Sequence, residues 1–135
     1  MKSSIFLDTG YILAILNTRD KYHKSASAAA LRVSPPFITT EAVLIEIGNA
    51  LSKLEWRAIG VAALHNLRSD PDTEIVPVDT ALFERAIDLY SSRPDKEWGL
   101  TDCISFVVMQ ERGITKVLTT DRHFEQAGFQ NPLLP

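Results

Sequence analysis

The sequence predicts an α/β domain built on a parallel sheet. Short apolar runs recur at residues 5–7, 37–39, 74–78 and 116–119, and the segments between them carry apolar residues at helical spacing. Proline-rich and glycine-rich punctuation falls between these elements, and no repeat, low-complexity tract or linker interrupts them. Strands separated by helices must be joined by crossovers, which are nearly always right-handed, and sites in such sheets form at the carboxyl ends of the strands.

The elements follow in order. Residues 5–7 form a short buried strand, and residues 10–16 a helix that follows at once. Residues 21–32, rich in alanine, form a second helix with Asp20 placed to cap it. After Pro35-Pro36, residues 37–39 form a strand, and Thr40 caps a long helix to about Leu54, on which Val43, Leu44, Ile47, Leu51 and Leu54 make one stripe. A helix over residues 56–67 precedes the turn Ser69-Asp70-Pro71-Asp72. Residues 74–78 are the third strand, and Asp79 caps a helix through Tyr90. A polar loop over residues 91–100 leads to a helix over residues 101–112 that is apolar almost all round and therefore packed on both sides. Gly113 ends it. Residues 116–119 form the fourth strand, residues 122–127 a short helix closed by Gly128, and residues 129–134 a last edge strand.

With 135 residues, 45% of them hydrophobic, the chain is long enough for one core, and a single domain spanning 1–135 is expected. No run approaches the roughly 18 apolar residues of a membrane span, and the start lacks the layout of a secretory signal, so a cytoplasmic protein with no membrane partner is expected. One cysteine, Cys103, allows no internal disulfide and no thiolate metal site by itself. The net charge of −3 gives no basic excess that would announce nucleic acid. Two divalent ions on the acids would reverse its sign.

Four acids belong at the carboxyl edge. Asp8 follows the first strand and Asp121 the fourth. The helix carrying Asp102 ends at the start of the fourth strand, so it begins at the opposite, carboxyl edge. Glu46 lies in the second turn of its helix, beside Ala42, Asn49 and Ala50, with room to reach inward. Alone, each aspartate is most simply a helix cap, worth about 0.5 to 2 kcal/mol. Together they are different, because two carboxylates about 4 Å apart repel by about 4 kcal/mol at an effective dielectric near 20. A cation removes that penalty, and an all-oxygen cluster favours hard ions such as Mg²⁺ or Mn²⁺.

The stretches IFLDTGYILAIL, FITTEAVLIEIGNAL, GLTDCISFVVMQERGI and VLTTDRHFEQAGF occur in an order that covers nearly the whole chain. On these, it resembles the PIN-domain nucleases, in particular the single-domain VapC-type toxins of bacterial toxin–antitoxin pairs. The last two stretches are the most specific. The resemblance implies a PIN-like three-layer sandwich whose five-stranded parallel sheet has the order 3-2-1-4-5. It implies that Asp8, Glu46, Asp102 and Asp121 hold one or two Mg²⁺ or Mn²⁺ ions and are the catalytic set. The implied reaction is metal-assisted hydrolysis of phosphodiester bonds in an RNA substrate by water, and the implied partners are an antitoxin protein and a second copy in a homodimer. The family's first motif usually has asparagine or serine where this chain has Gly10.

Other residues have a plain reading beside a functional one. Thr9, Thr101 and Thr120 flank the acids as caps or carboxylate orienters. Ser105 is one turn after Asp102, with a bond to its own helix as the default. Arg122 and His123 follow Asp121 and read either as exposed first-turn residues of a short helix or as contacts to a substrate phosphate. Arg93, Lys96 and Trp98 precede Asp102 and offer stacking and charge to RNA, unless Trp98 anchors its loop on the core. Asp79 and Asp95 read as a cap and a solvated acid. Tyr11, Ile12, Leu16 and Trp56 offer a surface to a second copy or an antitoxin peptide, or else belong to the core. The competing functions are a non-catalytic PIN-like module that binds RNA or protein, and an aspartyl-phosphate protein of receiver or haloacid-dehalogenase type. The latter types want further acids near Asp8 that this chain lacks.

Overall fold

The computed structural model describes residues 3–134. Its elements are β1 (Ile5–Leu7), α1 (Thr9–Leu16), α2 (His23–Arg32), β2 (Phe37–Thr40), α3 (Glu41–Ala50), α4 (Leu54–Ser69), β3 (Thr73–Val76), α5 (Thr80–Ser92), α6 (Leu100–Arg112), β4 (Lys116–Leu118) and α7 (His123–Gln126). The sheet is parallel, in the order β3-β2-β1-β4. Strand order reverses between β1 and β4, which pair in register with Leu7 opposite Leu118. The crevice at the carboxyl ends of this pair is the switch point.

Alternation along the strands assigns the two faces. Phe6, Ile38 and Val117 point into a core shared with Val43, Ile47, Leu82, Phe106, Met109 and Phe124. Leu7 and Leu118 point the other way, into a smaller core with Tyr11, Ala14, Ala26 and Ala29 of α1 and α2. Helices therefore cover both faces, giving the three layers expected. Every residue of α6 from Cys103 to Met109 is buried, as its all-round apolar sequence requires, and Gly113 closes it in the left-handed conformation at φ 66°.

Three boundaries differ from the sequence reading. The sheet among the described residues has four strands, not five: residues 129–134 make one parallel bridge, Gln130 with Lys116. Pro132 lacks an N–H to continue a ladder. The Asn131 side chain takes the place of a pairing peptide instead, with Nδ2 donating to the Thr119 carbonyl at 2.9 Å and Oδ1 accepting from the Thr119 N–H at 3.4 Å. The long helix expected to reach Leu54 stops sooner, and the next one starts at Leu54 rather than residue 56. α3 ends at Ala50, and α4 folds back so that Gly60 lies against Leu51, close enough that a Cβ there would be 3.1 Å from the Leu51 Cβ. Leu54 is 95% exposed and leaves the stripe. Finally, α2 starts at His23 rather than residue 21, because Asp20 first makes a turn, its Oδ1 accepting from the Tyr22 N–H at 2.8 Å. Smaller shifts of one to two residues affect β3 and the ends of α5, α6 and α7.

No helix among the described residues is long and apolar enough to cross a membrane. Tyr11 is buried, and Ile12, Leu16 and Trp56 pack against the larger core, so these four belong mainly to the interior.

Candidate active site

Asp8 leaves β1 with its N–H bonded to the Leu118 carbonyl at 3.0 Å, which fixes it beside the end of β4. Its carboxylate does not cap α1; it turns inward and is only 6% exposed. There its Oδ2 accepts a 2.6 Å hydrogen bond from the Thr119 hydroxyl. Burial pushes its pKa up to about 7, against the Thr119 bond and the Thr9 N–H and with the charges of Asp102 and Glu46 adding. A neutral-pH charge there is therefore costly until a positive partner arrives.

The other acids converge from three more elements. Asp102, third residue of α6, accepts at Oδ2 from the Gly99 N–H at 3.1 Å and from His123 Nδ1 at 3.0 Å. Burial raises its pKa and the Asp121 charge adds to this, against the His123 and Gly99 hydrogen bonds. Asp121 follows β4; its N–H donates to Thr119 Oγ1 at 3.0 Å, and its Oδ1 accepts from the His123 N–H at 2.9 Å. That second bond is the local turn the bland reading allowed. Glu46 reaches across from α3, where its Oε1 accepts from the Thr9 hydroxyl at 2.5 Å.

All four predicted acids line one cleft of about 360 Å³, together with Thr9, Gly10, Gly99, Leu100, Thr101 and Thr120. Among the described residues, no lysine or arginine lines it. The close approach at its floor explains Gly10: a Cβ there would stand 2.0 Å from the Thr120 hydroxyl oxygen. The donor set fits a hard divalent cation, since it is anionic oxygen on several sides with one buried carboxylate whose ionisation lacks a counter-charge.

Some flanking residues take their plain reading. Ser105 is fully buried and donates to the Thr101 carbonyl at 3.1 Å. Trp98 is 6% exposed, edge-on to Phe106 and bonded through Nε1 to Gln126, so it anchors its loop rather than offering a stacking face. Arg93 pairs with Asp95, and Asp79 caps α5 by accepting from the Leu82 N–H at 2.8 Å.

One residue is not legible from the sequence as a site residue, and a second takes a position the sequence does not suggest. Thr119, fully buried, ties Asp8 to Asp121 through one hydroxyl. Only the pairing of Leu7 with Leu118 brings it beside Asp8, and no spacing in the sequence encodes that register. The sequence offers His123 either as an exposed first-turn residue or as a phosphate contact. In the structure its Nδ1 lies 3.0 Å from Asp102 and 3.2 Å from Asp121. Burial favours the neutral ring, yet the Asp102 bond and the charges of Asp121, Asp102 and Glu97 outweigh it and hold the pKa above the ordinary histidine value.

Known proteins resemble this chain in sequence and fold. The 23S rRNA-specific endonuclease VapC20 of Mycobacterium tuberculosis is 29% identical over 125 residues, which cover 93% of this chain and 95% of that protein. The crystal structure of M. tuberculosis VapC20, described as a sarcin-ricin loop cleaving toxin, superposes with a TM-score of 0.87 at 28% identity, covering 94% of this chain and 97% of the other. A toxin–antitoxin complex from Klebsiella pneumoniae shares the fold, with a TM-score of 0.66 at 19% identity over 96% of this chain and 98% of that chain. The PIN domain model matches residues 5–130. With its parallel sheet, its switch-point cleft and a family match over nearly its whole length, the chain belongs to the PIN domain family.

Proposed function

We propose that this protein is a metal-dependent endoribonuclease, the toxin of a toxin–antitoxin pair, and that Asp8, Glu46, Asp102 and Asp121 are its metal-holding and catalytic residues. The observation that carries the reading is the convergence of four acids, from four separate elements, on one cleft that no lysine or arginine among the described residues lines. A carboxylate cluster of that kind is costly without a cation. The relationship to a 23S rRNA-specific endonuclease supports RNA as the substrate, and the likeness to that toxin supports an antitoxin partner.

When bound, a Mg²⁺ or Mn²⁺ ion supplies the Lewis acidity that phosphodiester hydrolysis needs. The chain's own contribution is to preorganise its ligands. Thr119 aims the Asp8 carboxylate and holds the Asp121 backbone. Thr9 holds Glu46. The Gly99 N–H fixes Asp102. The aspartates lie at strand ends and a helix start and Glu46 within α3, all on regular elements or directly beside them, so the cleft keeps its shape when a substrate phosphate enters.

The test is cleavage of RNA, including a sarcin–ricin loop oligonucleotide, by purified protein with Mg²⁺ or Mn²⁺. Cleavage is expected to stop in chelator and in the Asp121→Asn variant, whose circular dichroism remains that of the wild type. Undiminished cleavage by that folded variant contradicts the assignment.

A further inference from the structure

We infer that His123 is a nitrogen ligand of the cation site and biases the cleft toward transition-metal ions over Mg²⁺. This rests on the metal-dependent reading above. The carboxylates of Asp102 and Asp121 and the ring of His123 offer ligand atoms that all lie within 4.8 Å of one another. Nδ1 is 3.0 Å from Asp102 Oδ2 and 3.2 Å from Asp121 Oδ2. An octahedral ion with bonds of about 2.1 Å keeps adjacent ligand atoms about 3.0 Å apart. Both spacings therefore match neighbouring corners of one coordination shell. Before the ion enters, Nδ1 faces two carboxylates and can only donate to them; on coordination its proton leaves to water and the lone pair takes the same direction.

The ring is held for this role. The His123 N–H is bonded to Asp121 Oδ1 at 2.9 Å, and the Asp121 N–H to Thr119 Oγ1 at 3.0 Å, so two of the three potential ligands, Asp121 and His123, sit on a short hydrogen-bonded turn. Phe124, the next residue, is fully buried against Phe106 with ring centroids 4.9 Å apart, which fixes α7 against α6 and so His123 against Asp102. An imidazole ligand favours Co²⁺ and its neighbours in the divalent series far more than Mg²⁺, which prefers oxygen and water.

The experiment is titration calorimetry of Co²⁺ and of Mg²⁺ on the wild-type protein and on His123→Ala. Co²⁺ affinity is expected to fall by about tenfold or more in the variant, while Mg²⁺ affinity changes by less than about threefold. A second readout uses unaltered protein with ¹⁵N-labelled imidazoles: of the three histidines, one is expected to convert its Nδ1 from the protonated to the metal-bound chemical shift on adding Zn²⁺, and that signal is absent from His123→Ala. Equal losses for both ions, no loss, or no shifted Nδ1 overturns the inference and leaves the nuclease reading standing. Failure of the wild type to bind either ion overturns both.

Discussion

The carboxylates on the outer surface and those in the cleft live in opposite electrostatic conditions. On the surface, Glu111 pairs with Arg85, Glu74 with Arg112, Asp95 with Arg93 and Glu125 with Arg122. In the cleft, His123 pairs with Asp102 and Asp121 alone, and among the described residues no lysine or arginine lines the site. The pKa shifts follow this division. The Arg112 bond holds Glu74 below its usual value, and the Arg93 bond does the same for Asp95, whereas burial drives Asp8 and Asp102 upward. The lesson is that these four surface acids have guanidinium partners, whereas the cleft acids are brought together without a lysine or arginine among the described residues.

The largest effect follows from Asp8. Its pKa is about 7 in the folded protein against 3.8 for the unperturbed group. Well below pH 3.8 both states are protonated and the group is neutral to stability. As pH rises, the unfolded chain ionises first, so the folded state binds the extra proton and stability falls until about pH 7. In chelator, this loss is expected to total about 4 kcal/mol, and Asp8→Asn is expected to remove most of it, as read by denaturant unfolding at pH 4 to 8. A pH-independent difference between variant and wild type would show that the carboxylate is already neutralised within the chain.

A smaller effect is expected where the cleft is organised from behind. Thr119→Val keeps the shape but removes the hydroxyl that joins Asp8 to Asp121. Metal affinity and RNA cleavage are expected to fall by about 10- to 100-fold, with Thr119→Ser restoring both. The smallest effect belongs to the surface. Arg112→Ala breaks an ion pair whose side chains are 46% and 53% exposed, and it is expected to leave cleavage unchanged and cost less than about 1 kcal/mol. A strong effect there on metal binding would erase the contrast between the two regions.

How much of this the sequence carried depends on the range of the interaction. The buried α6 was legible because seven consecutive buried positions require an all-round apolar helix. The three aspartates were legible because the ends of strands and starts of helices are local features that topology sends to one edge; Glu46, in the second turn of α3, joined them through its small neighbours and the family resemblance. What escaped was tertiary. Thr119 meets Asp8 across 111 residues of chain through a register that only the folded sheet defines. The expected fifth strand shrank to a single bridge because Asn131 presents its amide where a backbone peptide was anticipated. Leu54 fitted the apolar stripe by coincidence, since the turn after Ala50 points it to solvent. Gly10 read as a departure from the family pattern; its reason lies 110 positions away, in the hydroxyl of Thr120 that fills the space above it.

The central claim, that a divalent cation is the missing partner of the cleft acids, is tested most directly by thermal unfolding with and without Mg²⁺ at pH 5 and pH 8. A cation that binds only the folded state stabilises it in proportion to its occupancy, and it competes with protons for Asp8. The melting temperature is therefore expected to rise with Mg²⁺ at pH 8, to rise much less at pH 5, and to lose this response in Asp121→Asn. A melting temperature at pH 8 that ignores Mg²⁺, or an equal rise in the variant, contradicts the claim.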